Sequence, residues 1–223
     1  MWDLLQEWDK SLFLVINGIH GPYGDHFVGL FAAKMTWGIM YATILFVLCK
    51  NFNWRGVLVA ALAFVLLIVL SDQLASTLLR PLFARPRPSR AEDLEGLVHL
   101  IGGRRGGAFG FPSAHAANTA ALATFIILFF RRRSLALFFI AWTLATCHAR
   151  VYAGVHYPGD VLAGILVGVF SGLTIHAAYR LLVSRLPVLA PRGKITRAPF
   201  VPLVPLVGLL TVAVIALYSL FPS

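Results

Sequence analysis

The chain has 223 residues, of which 59% are hydrophobic and only 13% are charged, and its mean hydropathy is +0.81. This composition excludes an ordinary water-soluble domain, because several windows reach the roughly 20 apolar residues that cross a bilayer as a helix. The net charge of +10 does not indicate a nucleic-acid partner, since the cations lie in short segments between apolar runs. We expect a single all-α membrane domain over residues 1–223, with no obligate protein partner.

Residues 1–20 begin the chain with apolar and polar side chains at roughly helical spacing. This pattern predicts a helix that lies in the membrane interface, ended by Asn17-Gly18 and the polar segment after it. About six transmembrane helices are predicted further along, over residues 27–49, 55–79, 114–130, 135–149, 161–182 and 200–220. The polar segment 80–113 and the basic linker 187–197 separate some of these runs.

The distribution of charge bears on orientation. The 19 Lys and Arg residues divide almost evenly, with ten in the segments after the first, third and fifth spans and nine on the opposite side. All nine acidic residues lie on that opposite side, together with the polar motifs described next. We expect the purely cationic side to face the cytoplasm, which places both termini and the motifs outside. The two cysteines, Cys49 and Cys147, then lie toward opposite faces, so no disulfide is expected.

Three polar motifs lie at the ends of apolar runs, where charged groups are costly unless they have a task. They are Arg80-x6-Arg87-Pro88, Pro112-Ser113-Ala114-His115 and Arg150-x5-His156-x3-Asp160. Together they supply three guanidinium groups, two imidazoles, a hydroxyl and a carboxylate. Such a set fits the chemistry of phosphoryl transfer, in which cations bind the phosphoryl oxygens and a nitrogen nucleophile attacks the phosphorus.

The second motif opens the third predicted span. Ser113 is a good N-cap after Pro112, and the free backbone N–H groups near Ala114 form an anion site at the helix N-terminus. His115 would project from this first turn toward the same anion. Taken alone, the motif is also compatible with plain helix capping beside an interfacial histidine.

The third motif pairs an imidazole with a carboxylate. Asp160 can accept a hydrogen bond from one nitrogen of His156, which fixes the tautomer and leaves the other nitrogen as a nucleophile. In isolation, the segment could equally be a Pro-Gly turn in which Asp160 interacts with a helix dipole. Arginine forks suit phosphate oxygens, yet arginines at span ends are often only interfacial anchors. We assign that anchoring role to Arg85, Arg90, Arg104 and Arg105.

The joint spacing of the motifs resembles the type-2 phosphatidate phosphatase superfamily, which includes bacterial lipid phosphatases and is related to vanadate haloperoxidases. That family's signature is Lys or Arg, six residues and Arg-Pro; then Pro-Ser-Gly-His; then Ser-Arg, five residues, His, three residues and Asp. The chain matches it across residues 80–160, with Ala114 in place of the glycine and Ala149 in place of the serine. We expect these two departures to affect rate or substrate range more than mechanism.

The resemblance implies a metal-independent hydrolysis without a cofactor, through a phosphohistidine intermediate. In this scheme His156 attacks phosphorus, Asp160 orients it, and His115 protonates the leaving oxygen before helping to activate water. The groups that would hold the phosphate are Arg80, Arg87, Ser113, the backbone near Ala114, and Arg150.

The expected substrate is a phosphate or diphosphate on a membrane lipid, such as undecaprenyl diphosphate, phosphatidylglycerophosphate, phosphatidate or a lipid A phosphate. The expected location is a bacterial inner membrane, with the active site facing the periplasm or exterior. Two alternatives stay open: a transporter or flippase that binds lipid phosphate without cleaving it, and a phosphotransferase that uses an acceptor other than water.

Two further features carry weaker predictions. Asp72 lies in the outer half of the second span, so we expect it to face the bundle interior and pair with an arginine. The glycine- and arginine-rich segment 102–107 lacks the spacing of a nucleotide-binding loop. We interpret it as a mobile lid or as a loop that contacts lipid headgroups.

Overall fold

The protein is an all-α bundle in a computed structural model that describes residues 2–191 and 198–221. Most of the predicted basic linker, residues 192–197, therefore lies outside the described part. The helices are α1 (Trp2–Gly18), α2 (Pro22–Phe31), α3 (Gly38–Asn51), α4 (Trp54–Asp72), α5 (Arg80–Phe83), α6 (Ala114–Phe130), α7 (Arg133–Tyr152), α8 (Pro158–Arg185) and α9 (Leu203–Tyr218). Short 3₁₀ turns occur in the connections, and a π-helical segment, Gln73–Leu79, joins α4 to α5.

Long apolar helices occupy the predicted spans. Within the described residues, three continuous helices are long and apolar enough to cross a membrane: Trp54–Phe83, Arg133–Tyr152 and Pro158–Arg185. The pair Pro22–Phe31 and Met35–Asn51 meets the same criterion together, with a 63° bend between its parts. Helices α6 and α9 are shorter apolar helices of 17 and 16 residues. Each of the six predicted spans thus coincides with an apolar helix or, for the first, with a bent pair.

The first span differs from its prediction because it is broken rather than continuous. Helix α2 ends at Phe31, where two side chains take over its last carbonyl groups. The Thr36 hydroxyl donates to the carbonyl of Leu30 at 2.7 Å, and the Trp37 indole N–H donates to that of Phe31 at 2.9 Å. Carbonyls at a helix end need partners of this kind, so the chain can turn here before α3 begins.

The second span extends further than its prediction. Helix continues past Leu79 to Phe83, so Arg80 lies on a helix rather than in a loop. The loop begins at Ala84, whose φ of 44° ends the helix in the left-handed conformation. The π-helical segment lies just before the first motif, as such segments often do near functional sites.

Helix α6 lies at the centre of the bundle and packs closely against α8. A Cβ atom placed on Gly164 of α8 would lie 2.5 Å from the carbonyl oxygen of Ser113 and 2.9 Å from the Cβ of Ala116. Small residues permit this close approach between membrane helices. As a result the starts of the two helices meet, and the Ser113 N–H donates to the Asp160 carbonyl at 2.9 Å. The second and third motifs are therefore joined by the backbone.

The N-terminal helix α1 packs on the bundle through one face and exposes apolar side chains on another, and its interfacial position stays a prediction. Phe13 is fully buried and packs edge-on against Tyr157, with ring centroids 5.4 Å apart. Leu5, Trp8 and Val15 are more than half exposed. Elsewhere in the fold, Cys49 is exposed and Cys147 is buried, and neither forms a disulfide within the described residues.

Candidate active site

A cavity of about 720 Å³ brings the three motifs together at one end of the bundle. Much of its wall is apolar and comes from α3, α4 and α6, including Ile44, Leu45 and Phe64. Its polar lining contains side chains from all three motifs: Arg80, Arg87, His115, Arg150 and His156. The sequence prediction that these groups converge is therefore consistent with the geometry.

His156 is held from both sides of its ring. Its Nε2 lies 3.0 Å from Nη1 of Arg87, and its Nδ1 lies 3.4 Å from Oδ2 of Asp160. Because a guanidinium can only donate, Nε2 accepts this bond, so the ring proton belongs on Nδ1, facing the carboxylate. Asp160 is fully buried, and it also accepts a bond from the backbone N–H of Tyr157 at 3.0 Å. The nitrogen bearing the lone pair is the one on the arginine side.

Burial controls the charge of this histidine. It lowers the pKa of His156 to about 4, an effect that outweighs the upward influence of the hydrogen bond to Asp160, and the cation Arg87 lowers the pKa further. The imidazole is consequently neutral at pH 7. Burial, followed by the charges of Arg80 and Arg150, lowers the pKa of Arg87 to about 10, which leaves its guanidinium charged at pH 7.

The three arginines of the motifs have donors that protein groups do not use. The Nε atoms of Arg80, Arg87 and Arg150 are buried and have no hydrogen-bond partner among the described residues. Other donors fix the side chains in place: Nη2 of Arg80 binds the Pro112 carbonyl at 3.3 Å, and Nη1 of Arg87 binds the Val155 carbonyl at 2.8 Å. Buried cationic donors of this kind suit a phosphate, which offers several acceptor oxygens.

The second motif contributes the start of α6. Ser113 caps the helix as predicted, since its hydroxyl accepts from the Ala116 N–H at 3.5 Å and its side chain is fully buried. The cavity lining includes Ala114 and His115 but not Ser113. Ser113 thus orients the helix N-terminus toward the cavity, and its expected direct contact with phosphate stays a prediction. Ala149 lies in the apolar core, outside the cavity lining.

Two charged residues that sequence reasoning missed lie directly behind the histidine. Arg85 was expected to be an interfacial anchor, and that interpretation is wrong. Its Nη1 lies 3.0 Å from Oδ1 of Asp160, and its Nη2 lies 2.7 Å from Oδ2 of Asp9 on α1. The only sequence signal was the position of Arg85 between Arg80 and Arg87; nothing in the sequence of α1 marked Asp9.

Backbone hydrogen bonds hold the loop after α5 beside the cavity. Pro86 and Phe109 form an isolated antiparallel bridge, and the Gly110 N–H donates to the Arg85 carbonyl at 2.9 Å. Arg90, another expected anchor, is exposed and donates to the Gly106 carbonyl at 3.1 Å, and its anchoring role stays a prediction. Gly106 lines the cavity, which brings the glycine-rich segment to the site.

A side chain at Gly110 would displace Asp160 and Arg87 from their positions in the site. A Cβ atom there would lie 2.9 Å from Oδ2 of Asp160 and 3.1 Å from Cγ of Arg87.

The partner of Asp72 differs from the predicted arginine. The Oδ1 atom of Asp72 accepts a hydrogen bond from the Asn118 amide at 3.3 Å. No arginine of the described residues forms an ion pair with it. Asp72 and Asn118 both line the cavity.

Apolar helices long enough to span a membrane enclose a buried cavity that is lined by arginines and histidines. Together, this fold and this site define a membrane-embedded phosphatase. A family model described as the PAP2 superfamily matches residues 57–183, and the chain belongs to this superfamily. It is 44% identical to a lipid A 4'-phosphatase of Bacteroides thetaiotaomicron over 83% of each chain. It is also 35% identical to a lipid A 4'-phosphatase of Porphyromonas gingivalis, over 79% of this chain and 75% of the relative.

The fold agrees with this membership. The crystal structure of a transmembrane PAP2 type phosphatidylglycerolphosphate phosphatase from Bacillus subtilis superposes with a TM-score of 0.57 at 23% identity, covering 82% of this chain and 89% of that one. The protein is therefore a multi-pass membrane lipid phosphatase, and the predicted family, fold class and type of enzyme are confirmed.

Proposed function

We propose that the protein removes the 4'-phosphate of lipid A by way of a phosphohistidine at His156. The observation that carries the mechanism is the buried, neutral imidazole held between Asp160 and Arg87 at the polar end of an apolar-walled cavity. The substrate follows from the two lipid A 4'-phosphatases to which the chain is similar over most of its length. An apolar wall beside the arginines suits a phosphate attached to a lipid.

In the first step, the lone pair of His156 Nε2 attacks phosphorus and the bond from phosphorus to the lipid oxygen breaks. His115 gives a proton to that oxygen as it leaves. Asp160 keeps the Nδ1 proton in place and stabilises the positive charge that develops on the ring. In the second step, water attacks the phosphohistidine, His115 takes a proton from the water, and the N–P bond breaks to release phosphate.

The cations act on the phosphoryl oxygens throughout. Arg80, Arg87 and Arg150 hold these oxygens as negative charge builds on them, which is where fixed electrostatic donors are most effective. Arg87 now donates to His156 Nε2, and an arriving phosphate oxygen would take over that donor and release the lone pair. The backbone N–H groups near Ala114 add the positive end of the α6 dipole.

The proposed location is a bacterial inner membrane, with the cavity open to the periplasmic side. The support is the distribution of charge, because every acidic residue and all three motifs fall on the side opposite the purely cationic segments. We also propose that residues 1–223 act as one domain, since α1 and α3 to α8 contribute residues to the cavity or to its polar contacts, and α2 and α9 pack against α7.

A phosphate-release assay tests the function. Purified protein in detergent with a chelator would be given lipid A, undecaprenyl diphosphate, phosphatidylglycerophosphate or phosphatidate, and free phosphate would be measured. We expect the fastest release from lipid A and loss of the 4'-phosphate, read by mass spectrometry. His156→Ala and His115→Ala should each abolish release, whereas His148→Ala, at an exposed position on α7, should not.

Other outcomes would contradict specific parts of the proposal. Full activity in His156→Ala would exclude it as the nucleophile, and loss of activity with the chelator would indicate a metal-dependent hydrolase. Lipid turnover without free phosphate would favour a transporter or a phosphotransferase. Trapping an acid-labile phosphoenzyme in the wild type, absent from His156→Ala, would support the covalent step directly.

A further inference from the structure

Besides the packing of Phe13, helix α1 makes a polar contact with the first turn of α8 through the carboxylate of Asp9. Asp9 on α1 accepts from the Gly159 N–H at 2.7 Å with Oδ1, while Oδ2 receives Nη2 of Arg85 at 2.7 Å. A Cβ atom on Gly159 would lie 2.7 Å from Asp9 Oδ2, so the carboxylate fits against bare backbone. The side chain of Asp9 is 14% exposed, although it belongs to a surface helix. Asp9 thus occupies a closely fitted position.

Arg85 connects Asp9 to Asp160, the carboxylate beside His156. Its second nitrogen, Nη1, lies 3.0 Å from Oδ1 of Asp160, and its guanidinium carbon lies 4.1 Å from the centre of the Tyr157 ring. Asp160 uses its other oxygen, Oδ2, for His156. A continuous series of polar contacts therefore runs from Asp9 through Arg85 and Asp160 to the imidazole.

With His156 neutral, the charges of Arg85 and Asp160 balance each other. Asp9 adds the negative charge that offsets the positive charge developing on the ring as it attacks phosphorus. Asp160 is fully buried, and a buried carboxylate needs a partner. Arg85 supplies that partner, but its undivided charge would draw Asp160 away from the His156 Nδ1–H, which is already a long contact at 3.4 Å. Asp9 shares the Arg85 cation and fixes its plane, since the two carboxylates occupy different ends of one guanidinium.

We propose that Asp9 is a positioning residue for phosphoryl transfer, which acts through Arg85 to keep Asp160 aligned with His156. The inference rests on the proposed role of His156 as nucleophile. Asp9 is not part of the cavity lining, so it acts without touching the phosphate. Reactive groups need to be held within roughly 10–20° of their productive orientation, and this series of contacts extends that control to the N-terminal helix.

Steady-state kinetics of matched variants test the proposal. Asp9→Asn keeps the size of the side chain and an acceptor for Gly159 but removes the charge, and Asp9→Glu keeps the charge. We expect Asp9→Asn to lower kcat about 10–100-fold, by analogy with the loss of activity when outer-shell partners of metal-ligating histidines are removed. KM and the inhibition constant of inorganic phosphate should change less than about threefold, as expected when uniform binding is intact. Glu7→Gln, an exposed acid on the same helix, should behave as wild type.

A double-mutant cycle identifies the route. If Asp9 acts through Arg85, adding Asp9→Asn to Arg85→Gln should cost less than about twofold in kcat, because coupled residues are not additive. Partial recovery in Asp9→Glu would support a need for charge rather than for packing alone.

The possible failures are distinct. Wild-type kcat in Asp9→Asn overturns the positioning role, and so do multiplicative losses in the double variant. A rise in the phosphate inhibition constant as large as the loss of kcat also overturns it, since that result would mean damage to the cavity. An active His156→Ala protein, in contrast, would refute the proposed function itself, independently of how Asp9 behaves.

Discussion

The two ends of the α6–α8 pair use arginine in different ways. At the end near Ser113, which we call the cavity end, Arg85 bridges the carboxylates of Asp9 and Asp160. At the far end, Arg131 and Arg180 lie beside an aromatic cluster, and neither forms an ion pair with any described residue. Arginines alone therefore do not make a site; at the cavity end, backbone carbonyls hold Arg80 and Arg87, and carboxylates hold Arg85.

The largest expected difference between the ends concerns catalysis. Arg87→Ala should reduce kcat about 100–1000-fold, as loss of a donor that stabilises transition-state charge does. Arg180→Ala, an equal loss of charge at an exposed far-end position, should change kcat less than about twofold because Arg180 does not line the cavity and cannot stabilise transition-state charge there. Phosphate release from the same lipid would measure both. Similar losses in the two variants would remove the distinction between the ends.

The close packing between the ends should affect stability rather than chemistry. A Cβ on Gly168 of α8 would overlap the Ala117 carbonyl and lie 2.7 Å from the Cβ of Ala120. We expect Gly168→Ala to destabilise the protein by about 1–3 kcal/mol, the usual cost of overpacking. Gly29→Ala on α2 is the control, since nothing lies within 4 Å of its added methyl. Thermal unfolding in detergent would compare them, and equal stabilities would contradict the packing argument.

The two helix caps sharpen the comparison further. The Asn53 side chain caps α4 at the far end, accepting from Gly56 N–H at 2.8 Å, while Ser113 caps α6 at the cavity. Replacing either residue by alanine should cost about 1 kcal/mol of stability. Only Ser113→Ala should also lower kcat, because only that cap orients a helix start toward the cavity. Unfolding and phosphate release measured on both variants would check this, and a loss of activity in Asn53→Ala would count against it.

The smallest expected effect is that of pH on the rate of phosphoenzyme formation, which should be nearly constant between pH 7 and 5. With its pKa lowered to about 4, His156 remains neutral as pH falls from 7 to 5, so the single-turnover rate of phosphoenzyme formation should fall less than twofold from this cause. For a histidine with the ordinary pKa of about 6.5, the rate would fall about 25-fold over that range. An acidic limb centred near pH 6.5 would show that His156 is not buried as described.

The same shift has a consequence for stability, with a definite sign. Because the folded pKa lies below the ordinary value, the folded protein binds fewer protons than the unfolded chain between about pH 6.5 and 4. The contribution of His156 to stability is thus complete above pH 6.5 and declines as pH falls toward 4. His156→Gln should flatten this part of the stability profile.

Much of the bundle could be predicted because its signals are local. Apolar runs indicated each span, and Ser113 could be recognised as an N-cap from its position before Ala114. The bend after Phe31 could not, because it depends on where the Thr36 hydroxyl and the Trp37 indole point. The extension of the helix to Phe83 was also missed, because a polar residue such as Arg80 can either end a span or continue it.

For the active site, the sequence by itself determined the chemical groups. The joint spacing of the three motifs matched the signature of the family to which the chain belongs, and that resemblance implied a phosphohistidine mechanism. Only the tertiary structure decided which cations support that chemistry. Arg85 and Arg90 look alike in sequence, yet one bridges Asp9 and Asp160 while the other holds a loop carbonyl. Spacing along one segment follows from helix geometry, whereas the meeting of α1, α8 and the loop between α5 and α6 depends on how separate helices pack.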